Sequence, residues 1–171
     1  LSLSSPTFAD KWDMPTPYGD ANHPTQVARL FAEEVSANAG DALSIKVHSG
    51  GSLIKHPEIH RAVKSRQVQI GEVFIGRLGN DNPIFKLDNI PFLATDFDAA
   101  MKLYKASKPE IEKQLEEDGL KLLYTVPWPA QDLYSNKPVN SLADIKGLKM
   151  RAYSPTTSRL ADLMGTTPVN V

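Results

Sequence analysis

One arginine, Arg151, is a residue that could bind an anionic ligand. It lies in a run, 140–153, whose last positions alternate between apolar and polar residues. Leu148, Met150 and Ala152 would form the buried face of a strand, so Arg151 is predicted to point away from it, toward a cleft or toward water. A planar guanidinium can donate two parallel N–H bonds to a carboxylate. Carboxylate binding is therefore the chemistry that this residue suggests, and a solvated strand arginine is the alternative.

The sequence also predicts a tight turn before this strand. Ser141 can cap a short helix together with Asp144, three residues on, as an acidic variant of the capping box. Gly147 stands where the end of that helix needs a residue with positive φ. A tight turn from helix to strand would then hold Arg151 in a fixed place.

Further candidate residues follow other predicted strands. Tyr18 and Asn22 lie in the loop after the first strand, and Glu72 and Phe74 share one face of the third strand by period two. Because ligands in open α/β sheets gather beyond the carboxyl ends of strands, these residues are candidates for a binding site. Each could equally be an ordinary loop or core residue. Trp128 could wall a cleft, stack on a ligand or pack in a hinge.

Strand and helix patterns alternate along the chain, which predicts an α/β fold with mainly parallel strands. Strands or extended segments are predicted over 8–14, 43–48, 68–75, 87–94 and 120–126, and helices over 24–39, 56–67, 95–104 and 109–119. The stiff Pro127-Trp-Pro129 segment then marks a crossover between domains. After it we predict a strand over 132–136, a short helix over 141–146, a strand over 148–153, a helix over 156–164 and a strand over 167–171.

Two domains follow from this pattern: a first α/β lobe over 1–126, nearly complete, and over 127–171 the crossover and the start of a second α/β lobe. The second lobe has too few elements for a closed core of its own. We therefore predict that the chain is part of a longer one and that its second lobe exposes apolar surface.

Composition excludes several function classes. The 171 residues are 41% hydrophobic and 23% charged, as in soluble globular proteins, and the net charge of −1 predicts no nucleic-acid partner. No apolar run is long enough to span a membrane. Cysteine is absent, which excludes disulfides and thiolate chemistry. The first residues lack the basic start and apolar core of a signal peptide, so an exported protein would here be in its mature form, with the signal peptide removed.

No catalytic, metal or cofactor site is predicted. His56 and His60 are four residues apart, but Pro57 stands where a metalloprotease helix needs glutamate, and no third ligand is evident. The turn 49–52 lacks the glycine spacing and the lysine of a phosphate loop. The hydroxyl residues of 154–158 have no neighbouring histidine or lysine to activate them, so the chain is not expected to be an enzyme.

Nearly the whole sequence resembles the periplasmic solute-binding proteins of tripartite ATP-independent periplasmic (TRAP) transporters, the DctP-like family. The matching segments are 30–35, 48–53, 61–71, 90–93, 140–151 and 164–168, and the run Ser-Leu-Ala-Asp-Ile-Lys-Gly-Leu-Lys-Met-Arg ending at Arg151 is the most specific of them.

The resemblance implies a two-lobed, type II-like periplasmic binding protein with a solute carboxylate paired to Arg151. Phe74 falls on a cleft-facing position of the family, and Gln131 falls where the sialic-acid binders carry a second arginine. A small monocarboxylate or a C4-type dicarboxylate is therefore expected rather than sialic acid. The implied partners are this solute and the DctQ-like and DctM-like permease subunits. A periplasmic module that senses a ligand and signals to a regulator is the alternative.

Overall fold

The structure, a computed structural model, describes residues 10–170. These residues pack into two compact units. One unit holds the chain up to Val73 together with Asp118–Leu120, and the other holds Phe74–Glu117 and the chain from Lys121 onward. The predicted division into lobes at 127–131 stays a prediction.

The first unit contains a strand–helix–strand motif. Its elements are β1 (Asp10–Pro15), α1 (His23–Ala39), a short 3₁₀ turn (Gly40–Ala42), β2 (Leu43–His48) and α2 (His56–Lys64). The strands β1 and β2 are parallel, with Asp10 beside Leu43 and Pro15 beside His48. Helix α1 starts with Pro24 in its first turn, where a missing N–H costs nothing, and ends at Gly40, whose φ is 58°.

The core of the first unit lies under helix α2. Ile54, Ile59, Ala62 and Val68 form one buried cluster. Gly71 passes so close to this cluster that an added Cβ would lie 2.6 Å from the Cγ2 of Ile59. Only a residue without a side chain lets the segment after Val68 lie against the helix.

The second unit holds the remaining elements. They are two 3₁₀ segments (Ile75–Asn80 and Pro83–Asn89), α3 (Phe97–Glu117), a 3₁₀ turn (Leu142–Ile145), β3 (Lys149–Ala152), α4 (Pro155–Leu163) and β4 (Thr167–Asn170). The strands β3 and β4 are parallel, and α4 connects them. Most of the large hydrophobic side chains exposed among the described residues belong to this unit, including Phe92, Phe97 and Leu163.

The α/β prediction is confirmed, and the helices α1, α2 and α4 and the strands β1 to β4 lie where the sequence places them, within a few residues. Of the predicted strand ends, residues 8, 9 and 171 lie outside the described residues. No helix within residues 10–170 is long and apolar enough to span a membrane.

The predicted strands over 68–75, 120–126 and 132–136 are wrong, since none of these segments is in a ladder within the described chain. The extended segment predicted over 87–94 is wrong in its first residues, which belong to the 3₁₀ segment Pro83–Asn89. Along 68–75, a single backbone bond from Glu72 N to Pro15 O, 3.0 Å long, reaches β1, and Gln69 uses its side chain instead to accept from Asp13 N. A strand needs repeated bonds, which this segment does not make.

The helices predicted over 95–104 and 109–119 are one helix, α3, with Pro109 inside it. Proline removes one backbone bond and usually breaks a helix. Here Ser107, Ile111 and Leu115 are buried on both sides of the proline, so burial of one continuous face outweighs the lost bond.

Candidate functional site

Arg151 lies on β3 with the orientation that the alternation predicts. Ala152 is fully buried, whereas the Arg151 side chain is exposed. The turn before it also forms as expected: Asp144 accepts backbone N–H bonds from Asn140 at 3.0 Å and from Ser141 at 2.8 Å. These bonds favour the charged carboxylate and lower the pKa of Asp144. Gly147 has a φ of 77° and donates its N–H to Gly165 O, which fastens the turn to the β4 side of the sheet.

An aromatic pair lies beside Arg151. The guanidinium carbon is 5.2 Å from the centroid of the Tyr153 ring, within the range of a cation–π interaction. The Tyr153 ring meets the Phe74 ring edge to face, with centroids 5.7 Å apart. Of the predicted site residues, Arg151 and Phe74 are thus brought to one cluster through Tyr153, which we call the arginine cluster.

Burial raises the pKa of Tyr153 above its usual value of 10.0, and the nearby charge of Arg151 opposes this while that of Asp88 adds to it. The phenol is therefore neutral at physiological pH. A neutral ring presents the negative π-face that attracts a cation.

Glu72 belongs to a hydrogen-bonded group in the first unit. Thr16 Oγ1 donates to Glu72 Oε2 at 2.6 Å, and Thr25 Oγ1 donates to Tyr18 O at 2.9 Å. The two hydroxyl oxygens, both in fully buried residues, are 3.2 Å apart. Within residues 10–170, Glu72 is therefore held by the hydroxyl of Thr16 and forms no salt bridge. We call Thr16, Tyr18, Thr25 and Glu72 the threonine network.

Burial raises the pKa of Glu72 above 4.5, and the hydrogen bond from Thr16 only partly offsets it. The geometry explains why the neutral acid fits. When Glu72 is ionised, Thr16 gives its one hydrogen to the carboxylate and Thr25 gives its own to Tyr18 O, so the 3.2 Å contact between the threonines has no hydrogen. A neutral Glu72 can donate to Thr16, which can then donate to Thr25.

We expect the stability of the protein to report this protonation. Because the pKa of Glu72 is higher in the folded state than its usual 4.5, the folded protein binds the proton more tightly. This contribution to the free energy of unfolding is fully present below 4.5 and is lost as the pH rises through the raised pKa. Glu72→Gln keeps a neutral polar side chain and should remove this pH dependence.

Urea unfolding of the wild type and of Glu72→Gln at several pH values tests this, because the difference between the two isolates Glu72 from the other carboxyl groups. Glu58→Gln, an exposed carboxyl of helix α2, is the matched control. If the free energies of unfolding of the wild type and of Glu72→Gln differ by the same amount at every pH, the raised pKa of Glu72 does not contribute to stability.

The other predicted residues take different places. The Tyr18 ring meets the His56 ring edge to face at 5.8 Å, and Asn22, which is exposed, donates its backbone N–H to Gly19 O. Trp128, with 37% of its surface exposed, and Gln131, which is exposed, lie in a segment without regular secondary structure. The first unit thus holds Tyr18, Asn22 and Glu72, and the second holds Phe74, Trp128, Gln131 and Arg151.

Thr16, Thr25 and Tyr153 are residues of these clusters that the sequence analysis did not single out. A signal existed for Tyr153, since it follows Arg151 by two residues and the alternation of the predicted strand 148–153 puts both on the same side. In the structure Tyr153 directly follows the end of β3. Nothing in the local sequence marks the two threonines, because Thr16 bonds Glu72 from a distant part of the chain and Thr25 contacts Thr16.

The two histidines of helix α2 have different neighbours. His56 packs against Tyr18, and His60 Nε2 lies 3.7 Å from a carboxylate oxygen of Asp118. Across residues 10–170 there is no group of three or more histidine, aspartate or glutamate side chains placed to hold a metal ion.

Three solved structures resemble this chain closely. It is 48% identical to DctP7 and 45% identical to DctP6, both extracytoplasmic solute receptors of Bordetella pertussis binding pyroglutamic acid, with TM-scores of 0.93 and 0.92. It is 42% identical, with a TM-score of 0.92, to a TRAP solute-binding protein from a marine metagenome, an unidentified microbe, specific for pyroglutamate. Each match covers 95% of this chain and 54% of the other.

The chain therefore spans about half the length of these receptors, and 38% to 41% of the curated relatives that it matches. The match to the two-lobed TRAP receptors confirms the predicted architecture. Residues 18–171 match the family described as DctP, bacterial extracellular solute-binding protein, family 7, and the chain belongs to this family.

Proposed function

We propose that this chain is part of the solute receptor of a TRAP transporter and that its solute is pyroglutamate, held in a cleft between the two lobes. Three receptors at 42% to 48% identity bind or are specific for this acid. The family consists of solute-binding proteins and not of enzymes, in agreement with the sequence-based expectation.

The observation that carries the proposal is that Arg151 is exposed and forms no salt bridge within the described residues. Its side chain is exposed, its neighbour is the Tyr153 ring, and no salt bridge within the described residues uses its guanidinium. Arg151 lies on a strand next to a capped turn, and its N–H donors are not used by a protein carboxylate there. They can therefore donate two parallel bonds to a solute carboxylate.

The functional groups of pyroglutamate match the hydrogen-bonding groups of Arg151 and Gln131. It has one carboxylate, a lactam N–H that donates and a lactam carbonyl that accepts, so one arginine neutralises its charge. Gln131, in the place of a second arginine, offers a neutral amide, which fits a solute with a single negative charge. Closure of the lobes would exclude water and strengthen the charged pair.

The remaining steps follow from the same proposal. The receptor is exported, works outside the cytoplasm, and delivers its solute to DctQ-like and DctM-like membrane subunits. Transport of labelled pyroglutamate by cells that carry the permease genes, with and without the receptor gene, tests this delivery. Equal uptake in both strains would contradict it.

Calorimetry on the full-length protein, freed of bound ligand, tests the solute. We expect L-pyroglutamate to bind tightly and pyrrolidinone, the same lactam without the carboxylate, to bind at least about 30-fold more weakly, because the charged pair is lost. L-proline, which keeps the ring and carboxylate but lacks the lactam, should also bind weakly.

Succinate and sialic acid complete the panel. Binding of sialic acid with no response to pyroglutamate would refute the proposed solute. Tight binding of succinate alone would move the function to the C4-dicarboxylates.

A further inference from the structure

The Tyr153 ring lies next to the Arg151 guanidinium. The distance from the guanidinium carbon to the ring centroid is 5.2 Å. Attraction between a cation and an aromatic face at this distance holds the cation without a hydrogen-bond acceptor. The N–H donors of the guanidinium thus stay available for an anion, which they would not if a protein carboxylate held the arginine.

The ring itself is held in place from two directions. The Phe74 ring packs edge to face against it, with centroids 5.7 Å apart. Its backbone is fixed by the start of helix α4, where Thr157 Oγ1 accepts the N–H of Tyr153 at 3.0 Å and of Ser154 at 2.9 Å. A long arginine side chain on a strand otherwise samples many rotamers, and ordering them on binding reduces affinity.

We propose that Tyr153, supported by Phe74, positions the Arg151 guanidinium for the carboxylate of the solute. The inference rests on the proposed function, in which Arg151 binds that carboxylate. Tyr153 is a positioning residue here, since it acts on the solute through Arg151. Phe74, chosen from the sequence as a candidate contact of the solute, is given a second role as the support of the ring.

Replacement of the ring tests the proposal in the full-length protein. Tyr153→Leu keeps apolar bulk but has no π-face, and we expect it to weaken the binding of L-pyroglutamate about 3-fold to 30-fold. Tyr153→Phe keeps the π-face and should retain most of the affinity. Tyr104→Leu, which changes a half-buried tyrosine of helix α3 in the same unit, is the matched control.

A double-mutant cycle separates positioning from a general structural role. In an Arg151→Ala background, Tyr153→Leu should change the affinity by less than about twofold, because no guanidinium remains to be positioned. Equal losses in both backgrounds would overturn the proposal. Phe74→Leu, which leaves Tyr153 in place, should also weaken binding, and the part of its effect that acts through the ring should disappear when Arg151 is absent.

The outcomes distinguish this inference from the proposed function. If Arg151→Ala leaves the affinity unchanged, the carboxylate-binding role of Arg151 fails. If Arg151→Ala weakens binding but Tyr153→Leu does not, the arginine binds the solute without help from the ring, and only the positioning role is refuted.

Discussion

Arg151→Ala should weaken binding of the carboxylate solute by roughly 30-fold to several thousand-fold. Truncating one partner of a buried charge pair costs about 2 to 5 kcal/mol, much of it from leaving the other charge unpaired. In the proposed complex this unpaired charge would be the carboxylate of pyroglutamate. Arg151→Lys should recover only part of the affinity, because an ammonium group is a point charge and lacks the planar fork that matches a carboxylate.

Calorimetry with the full-length protein measures this loss. Arg159→Ala is the matched control, since Arg159 is also exposed and lies on helix α4 of the same unit. An affinity within about threefold of the wild type for Arg151→Ala would remove Arg151 from the binding site.

Ile59→Ala should lower the free energy of unfolding by about 2 to 5 kcal/mol. Ile59 has no exposed surface, and it packs with Ile54, Ala62 and Val68 in the core beneath helix α2. Removing its outer carbons leaves a cavity that its neighbours cannot fill without moving. Ile59→Val, which removes one carbon, should cost only about 0.5 to 1.5 kcal/mol.

Urea unfolding measures both changes. Leu53→Ala is the control for the same unit, because 44% of Leu53 is exposed and its truncation opens no closed cavity. A similar loss for Leu53→Ala and Ile59→Ala would show that burial of Ile59 does not set the size of the effect.

The sequence predicts the elements whose signals are local. Helix α1 has a proline in its first turn and a glycine at its end, and the structure has it over His23–Ala39. The turn before β3 is predicted by local signals too. Ser141 and Asp144 form the capping box of its 3₁₀ turn, and Gly147 has the positive φ that ends it.

The failures arise where packing outweighs a local signal. Pro109 marks a helix start by its chemistry, yet burial of Ile111 and Leu115 keeps α3 continuous through it. Residues 68–75 have the composition of a strand, but Gly71 brings the chain against Ile59, and a ladder does not form. Neither contact can be read from the neighbouring residues.

The same limit applies to the candidate site. The position and orientation of Arg151 follow from alternation along one strand, which the sequence displays. The raised pKa of Glu72 depends instead on Thr16 and on burial, and these arise only when distant segments meet. Tyr153 lies between these cases, since its side of the strand was predictable and its packing against Phe74 was not.

The close approach of Gly71 to Ile59 links the core of the first unit to the threonine network. Gly71 directly precedes Glu72, so the helix that forms the core also sets the place of the carboxyl group in the threonine network. A larger residue at position 71, or a side chain of different shape at position 59, would move both helix α2 and the carboxyl group of Glu72. A substitution that alters the threonine network through residue 71 must therefore stay within the tolerance of the core of the first unit, or the core must change with it.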